Sequence, residues 1–258
     1  NYRIPTQVAA IEALKILTPT DTATITEMQR WLLAEKRTQS WDTPINAVDA
    51  IYAFLSNANR KVDMTKLTTD QHSVLKIDGK ALDLPKATAG LGYIKTTVPA
   101  ANSKVFTAVK TSQGTSWGAV YASSWQKTTN VKSSASGLSV NREIIPEHHG
   151  VLKVGDKIKV RITIHAERDF DFVQLQDKRA ACMEPTEQIS GYRWGYYCAP
   201  QDNVTNYYFD KLSKGTHVIE TSYYLDRIGD YTTGLCTIQC AYSPEYGGRE
   251  MAKSLSVK

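Results

Sequence analysis

Four cysteines, five histidines and one aromatic run hold most of the chemistry this sequence can offer. Cys236 and Cys240 stand four apart in GLCTIQCAYSPEYGGRE, residues 234–250. On an extended strand, Cys236, Ile238, Cys240 and Tyr242 point to one face, and four steps of roughly 3.3 Å separate the two thiols by about 13 Å. A disulfide needs Cα atoms roughly 4.4–6.8 Å apart, so an extended strand keeps this pair unbridged. Three residues intervene, so the pair is not a Cys-x-x-Cys redox motif. Zinc would require further Cys or His, and residues 226–258 hold no His. Both thiols therefore read as small side chains on a core face. Cys182 and Cys198 flank GYRWGYY and are candidates for a bridge to each other. An even cysteine count fits an oxidising compartment.

Other candidates are weighed in the same way. Adjacent His148 and His149 lack further ligands to converge with, and read as a solvated loop rather than a metal site. Asp169 and Asp171 in RDFDF offer paired carboxylates without an acid–base partner, and read as strand-edge charges. Tyr192, Trp194, Tyr196 and Tyr197 suit a carbohydrate or protein contact surface, with a loop folded over the end of a β-domain as the plainer reading. Asn203-Val204-Thr205 is a glycosylation sequon, relevant only in a eukaryotic secretory setting. There is no Gly-x-Ser-x-Gly elbow, phosphate loop, dinucleotide fingerprint or His-Glu-x-x-His. No residue set reads as an active site, and none implies a cofactor.

The elements that must position these residues change character along the chain. Residues 1–62 read as helical. Pro5 opens a first helix with Val8, Ile11, Leu14 and Leu17 at helical spacing, and Pro19 stops it. Asp21 or Thr24 caps a second helix that runs through Met28, Trp31, Leu32 and Leu33 to Lys36 and Arg37. A third follows Asp42 and Thr43 at Pro44, with Val48, Ile51, Tyr52 and Leu55 as its apolar face. Three short helices make a thin core and are expected to stack on further helices outside these residues.

Residues 63–140 alternate in short runs, HSVLKIDGKALDL, GYIKTTVP, KVFTAVKT and SWGAVYASSW, which predict strands. SSASG near 133–137 predicts a loop or linker. In KIKVRITIH, Ile158, Val160, Ile162 and Ile164 share one face of a half-buried antiparallel strand. Further strands are expected at DFVQLQ, NYYFDKL, THVIETSYYLD and LCTIQCAY, so residues 141–258 predict a β-sandwich.

The net charge is +5, distributed as +1 over residues 1–62, +5 over 63–140 and −1 over 141–258. The excess is spaced lysine, which suits a solvated β surface rather than a nucleic-acid site. No apolar run approaches the roughly 18–20 residues of a membrane span. The first residues lack signal-peptide character, and the chain starts as if cut from something longer.

Across the C-terminal part, Asp171-Phe172-Val173, Leu212 with Gly215-Thr216, Tyr231 with Gly234, and Tyr242-Ser243-Pro244-Glu245 resemble the terminal macroglobulin-like domain of bacterial alpha-2-macroglobulins. QSWDTPINAVDAIYAFL resembles the last helices of that family's thioester domain, an α/α toroid. SWGAVYASSWQ and GLSVNREI resemble the CUB segment and the lead into the last domain. The resemblance implies a mixed, mainly β fold. The end of the toroid would fill residues 1–62, a CUB-like β segment 63–140, and an antiparallel macroglobulin-like sandwich 141–258.

The family's implied function is protease trapping, in which a bait region is cut and the protein rearranges around the protease. Its covalent step uses a thioester built from Cys-x-Glu-Gln. Here Cys182-Met183-Glu184-Pro185 comes nearest, with Pro in place of Gln and in the wrong domain. The expectation is a non-catalytic portion of an endopeptidase inhibitor, periplasmic, outer-membrane-associated or extracellular. Its partners would be proteases, met through a full-length parent, and the rest of that chain. It would contact no nucleic acid, and would meet a membrane only through an N-terminal lipid anchor outside these residues. The expected contact residues are Tyr192, Trp194, Tyr196, Tyr197, Tyr242 and Glu245. Two rivals stand beside it. An α/α-toroid enzyme would need an acidic cavity motif that residues 1–62 lack. An adhesin or glycan-binding sandwich would use the Tyr192–Tyr197 stretch.

Overall fold

A computed structural model describes residues 3–41, 43–56, 73–85, 94–99, 104–110 and 118–258. The chain forms two compact units, one of residues 1–32 with 41–122, the other of residues 33–40 with 123–258. Three helices are described: α1 (Arg3–Leu17), α2 (Thr22–Thr38) and α3 (Pro44–Leu55).

In the first unit, Asp21 caps α2 by accepting the Thr24 amide at 3.2 Å, and Thr43 caps α3 by accepting the Asn46 amide at 3.3 Å. Asp42 lies outside the described residues. Ile4, Val8, Ile11, Ile25, Leu32, Ala50 and Ala53 form a small core. Lys15 reaches from α1 to the end of α3, donating to the Ala53 and Ser56 carbonyls at 2.5 and 2.7 Å. These carbonyls have no partner inside the helix, and burial lowers the Lys15 pKa. The packed face of α3 differs from expectation. Asn46, Ala50 and Ala53 are buried, while Ile45, Val48 and Ile51 are exposed. Small residues at i, i+4 and i+7 let the helix approach its neighbour closely, which turns the large aliphatic residues outward.

Among the described residues of 63–122, strands form only at β1 (Val74–Ile77), β2 (Lys80–Ala81) and β3 (Phe106–Val109), in the order β2-β1-β3. Residues 94–99 and 118–125, where alternation predicted strands, form none. All of 118–125 is exposed, so the alternation there has no core to face.

The second unit carries β4 (Ser134–Ser136), β5 (Leu138–Pro146), β6 (Lys157–Ala166), β7 (Phe170–Lys178), β8 (Met183–Pro185), β9 (Gly191–Arg193), β10 (Tyr196–Pro200), β11 (Val204–Leu212), β12 (Gly215–Leu225), β13 (Gly229–Thr232), β14 (Cys236–Cys240), β15 (Ser243–Glu250) and β16 (Ser254–Val257). Eleven of them form one continuous antiparallel sheet, ordered β8-β12-β6-β5-β4-β15-β14-β7-β11-β10-β9. It closes as a sandwich. The Tyr207 hydroxyl on β11 meets Thr221 Oγ1 on β12 at 2.7 Å across the core. The loop expected at 133–137 is instead β4, which links the two halves through β15 and β5. Its serines are exposed, so no apolar pattern marked it.

Alternation on β6 is as predicted, with Ile158, Val160, Ile162 and Ile164 all buried. The core adds Leu138, Phe170, Leu175, Tyr207, Tyr223, Ile238, Cys236 and Cys240. Two glycines are fixed by close approach. A Cβ on Gly234 would meet Lys178 Cβ at 2.4 Å, and one on Gly248 would meet the Leu138 carbonyl at 2.6 Å.

Candidate functional site

Residues 234–250 hold β14, a turn and β15. Cys236 and Cys240 are buried, unbridged thiols on the core face. Cys182 is buried and Cys198 half-buried, and both are free, so the bridge considered for them does not form. Burial pushes all four thiols up. Cys182 precedes β8, which pairs with the end of β12; this segment is an edge strand of the sandwich. Among the described residues, no group of three or more His, Cys, Asp or Glu converges as a metal site. His148 and His149 are exposed.

The Tyr-Ser-Pro-Glu turn instead closes on residues 37–40 within the same unit. Arg37 lies in the last turn of α2, where a carbonyl has no partner within the helix. Buried Ser243 donates its hydroxyl to that carbonyl at 2.7 Å. The Cys240 thiol lies 4.0 Å from the same oxygen and 3.6 Å from the Asp171 carbonyl. Glu245 pairs with the Arg37 guanidinium at 2.7 Å. One step on, Asp171 Oδ2 accepts both the amide and the hydroxyl of Ser40, at 2.7 and 2.8 Å. Gln39 donates to the Asp169 carbonyl at 3.3 Å.

Phe172 makes this clasp possible. Its φ of +58° lies in the left-handed region, costly for a bulky side chain, on the order of 1–3 kcal/mol. The flip breaks the alternation of β7, so Phe170 and Asp171 are both buried while Phe172 turns outward. There it meets Tyr242 edge-on, with ring centroids 5.3 Å apart. Asp171 is 5% exposed, in phase with buried Val173 and Leu175, and is not the strand-edge charge expected. Asp169, also read as one, spends Oδ1 on the Lys214 amide at 2.7 Å.

A second buried constellation escaped the sequence reading. Arg142 and Asp177 are each 1% exposed and pair at 2.8 Å. Arg142 also donates to Thr233 Oγ1 at 2.6 Å and to the Lys178, Gly234 and Met251 carbonyls at 2.8–3.2 Å. One side chain thereby ties β5, β7 and the turns after β13 and β15. The signal was present: Leu138, Val140, Arg142 and Ile144 are in phase, which puts an arginine on a core face.

The aromatic run is a hairpin of β9 and β10. Tyr192 and Tyr197 are cross-strand partners with centroids 5.0 Å apart. Tyr196 faces inward, against Tyr207 and Phe209. Trp194 sits at the turn and is 99% exposed. Tyr242 is also exposed. The structure does not bring these candidates into one cluster. Tyr192 and Tyr197 share the outer face of the sheet, Tyr196 the inner one, and Tyr242 and Glu245 belong to the clasp.

Residues 128–245 match the family model described as the bacterial alpha-2-macroglobulin MG10 domain. Trypsin-activated alpha-2-macroglobulin from Escherichia coli is similar at a TM-score of 0.50 and 11% identity, over 100% of this chain and 19% of that one. The Escherichia coli protein activated by porcine elastase matches at 0.50 and 11%, over 98% and 23%. Salmonella alpha-2-macroglobulin reacted with methylamine matches at 0.44 and 11%, over 100% and 17%. At this identity the likeness shows the fold. The chain spans about a fifth of the length of these structures. No curated protein sequence matches.

Proposed function

We propose that this chain is a non-catalytic C-terminal portion of an alpha-2-macroglobulin-like, protease-trapping inhibitor. The match of the sandwich to the family's MG10 domain over residues 128–245 carries the reading. In it, residues 1–62 end a toroid-type domain, 63–140 form a CUB-like segment and 141–258 the terminal sandwich. The exposed Ile45, Val48 and Ile51 of α3 suit packing on further toroid helices. The names of the relatives activated by trypsin and elastase support a role in a protease-triggered rearrangement. The surface offered to the rest of the parent is Trp194 with Tyr192 and Tyr197, together with Tyr242 and Glu245. The whole parent would work in the periplasm, at the outer membrane or outside the cell.

The test is hydrogen exchange on the full-length parent before and after trypsin. Exchange in the Trp194 hairpin and at residues 37–40 changes on cleavage if the sandwich takes part in the rearrangement. Unchanged exchange in both, or inhibition of protein digestion by the isolated 258-residue chain, overturns the reading.

A further inference from the structure

The outer face of the sandwich carries an ordered row that runs on from Tyr192 and Tyr197 of the contact surface proposed above. Gln239 of β14 pairs in register with Gln174 of β7, Gln174 with Tyr208 of β11, Tyr208 with Tyr197 of β10, and Tyr197 with Tyr192 of β9. A parallel row, two residues along each strand, runs from Arg249 through Thr237 and Gln176 to Asn206. Beneath them, Ile238, Leu175 and Tyr207 are buried in the core, so alternation puts both rows on the opposite face. Five strands spaced about 4.8 Å apart make the first row roughly 19 Å long.

At one end the rows sink into a shallow groove of about 260 Å³, lined by Ser134, Gln174, Gln176, Thr237, Gln239 and Arg249 among others. The amides are held in place by each other. Gln176 and Gln174 donate to Asn206 Oδ1 at 2.9 and 3.4 Å, and Gln239 donates to the Pro244 carbonyl at 3.2 Å. Each keeps its own carbonyl oxygen for a further donor. Of the charged residues at the groove, Arg249 donates its Nε–H to the Lys132 carbonyl at 2.9 Å and Glu245 pairs with Arg37. The first row contains no Asp, Glu, Lys or Arg.

From this we infer that the β14-β7-β11-β10-β9 face binds an uncharged oligosaccharide. A pyranose presents C–H groups on its two faces and hydroxyls on its rim. The exposed rings of Tyr192 and Tyr208 match the first, and the Gln174, Gln176 and Gln239 amides match the second. A charged ligand would find no counter-charge in the first row. The inference does not depend on the trapping role, and it shares only the Tyr192–Tyr197 end of the row with the contact surface proposed for the parent.

Native affinity electrophoresis of the 258-residue chain tests it, with laminarin, xylan, dextran, hydroxyethyl cellulose or glycol chitin in the gel. At least one neutral polymer is expected to retard the chain. Gln174→Ala and Tyr208→Ala are each expected to weaken that retardation about tenfold. Gln239→Ala, at an exposed position, should weaken it with unchanged circular dichroism and melting. Retardation by none of these polymers overturns the proposal and leaves the face as a cover for another part of the parent. Retardation that survives all three substitutions overturns it as well. So does retention by dextran sulfate alone that disappears with salt.

Discussion

Ser243 Oγ lies 2.7 Å from the carbonyl oxygen of Arg37 and closes the end of α2. This bond joins residues 206 positions apart. Ser243→Ala would leave a buried carbonyl unpaired, at a cost of about 1–3 kcal/mol. The expected result is lower stability in urea and faster amide exchange at Ser40, whose N–H is held by Asp171. Unchanged exchange at residues 37–40 would show that the clasp does not hold them.

Arg142 and Asp177 form a fully buried pair. Removing one partner leaves the other charge uncompensated, which costs about 3–5 kcal/mol. Arg142→Met should therefore destabilise the chain severely, and adding Asp177→Leu should recover part of the loss. A double variant no more stable than the single one would place the stabilisation in the arginine's carbonyl contacts instead.

These two constellations show what the sequence made legible. Strict alternation in KIKVRITIH disclosed β6, and the cysteine spacing disclosed a core-facing β14, because both patterns are local. The clasp stayed hidden because it depends on the left-handed Phe172. Nothing in RDFDF announces that conformation, or the Ser40 contacts that take Asp171 out of solvent. The face of α3 was misread for a similar reason. Close packing selected Ala50 and Ala53 over the larger Val48 and Ile51, and only the neighbouring helix decides that choice.

Burial raises the thiol pKa of Cys182, Cys236 and Cys240. A thiol whose pKa rises is protonated and weakly nucleophilic at neutral pH. Iodoacetamide at pH 7.5 should leave these three unlabelled in the native chain and label all four cysteines in guanidinium, without prior reduction. Labelling of only two on unfolding would reveal a disulfide.

Hydrogen bonds from Lys159 and Arg161 lower the Glu220 pKa below its ordinary value of 4.5. A carboxylate with a depressed folded pKa stabilises the fold above the unfolded value, and loses that contribution as pH falls through the folded one. Stability should thus decline on acidification below about pH 4.5, and Glu220→Gln should flatten that decline. An identical acid limb in the variant would assign the decline to other carboxylates.

Substrate size separates trapping from simple degradation of the parent. Trypsin would be mixed with the full-length parent, then assayed on a small peptide substrate and on a large protein substrate. The account predicts that cleavage of the large substrate falls while cleavage of the small one persists. Equal cleavage of both, with the parent simply degraded, would contradict it.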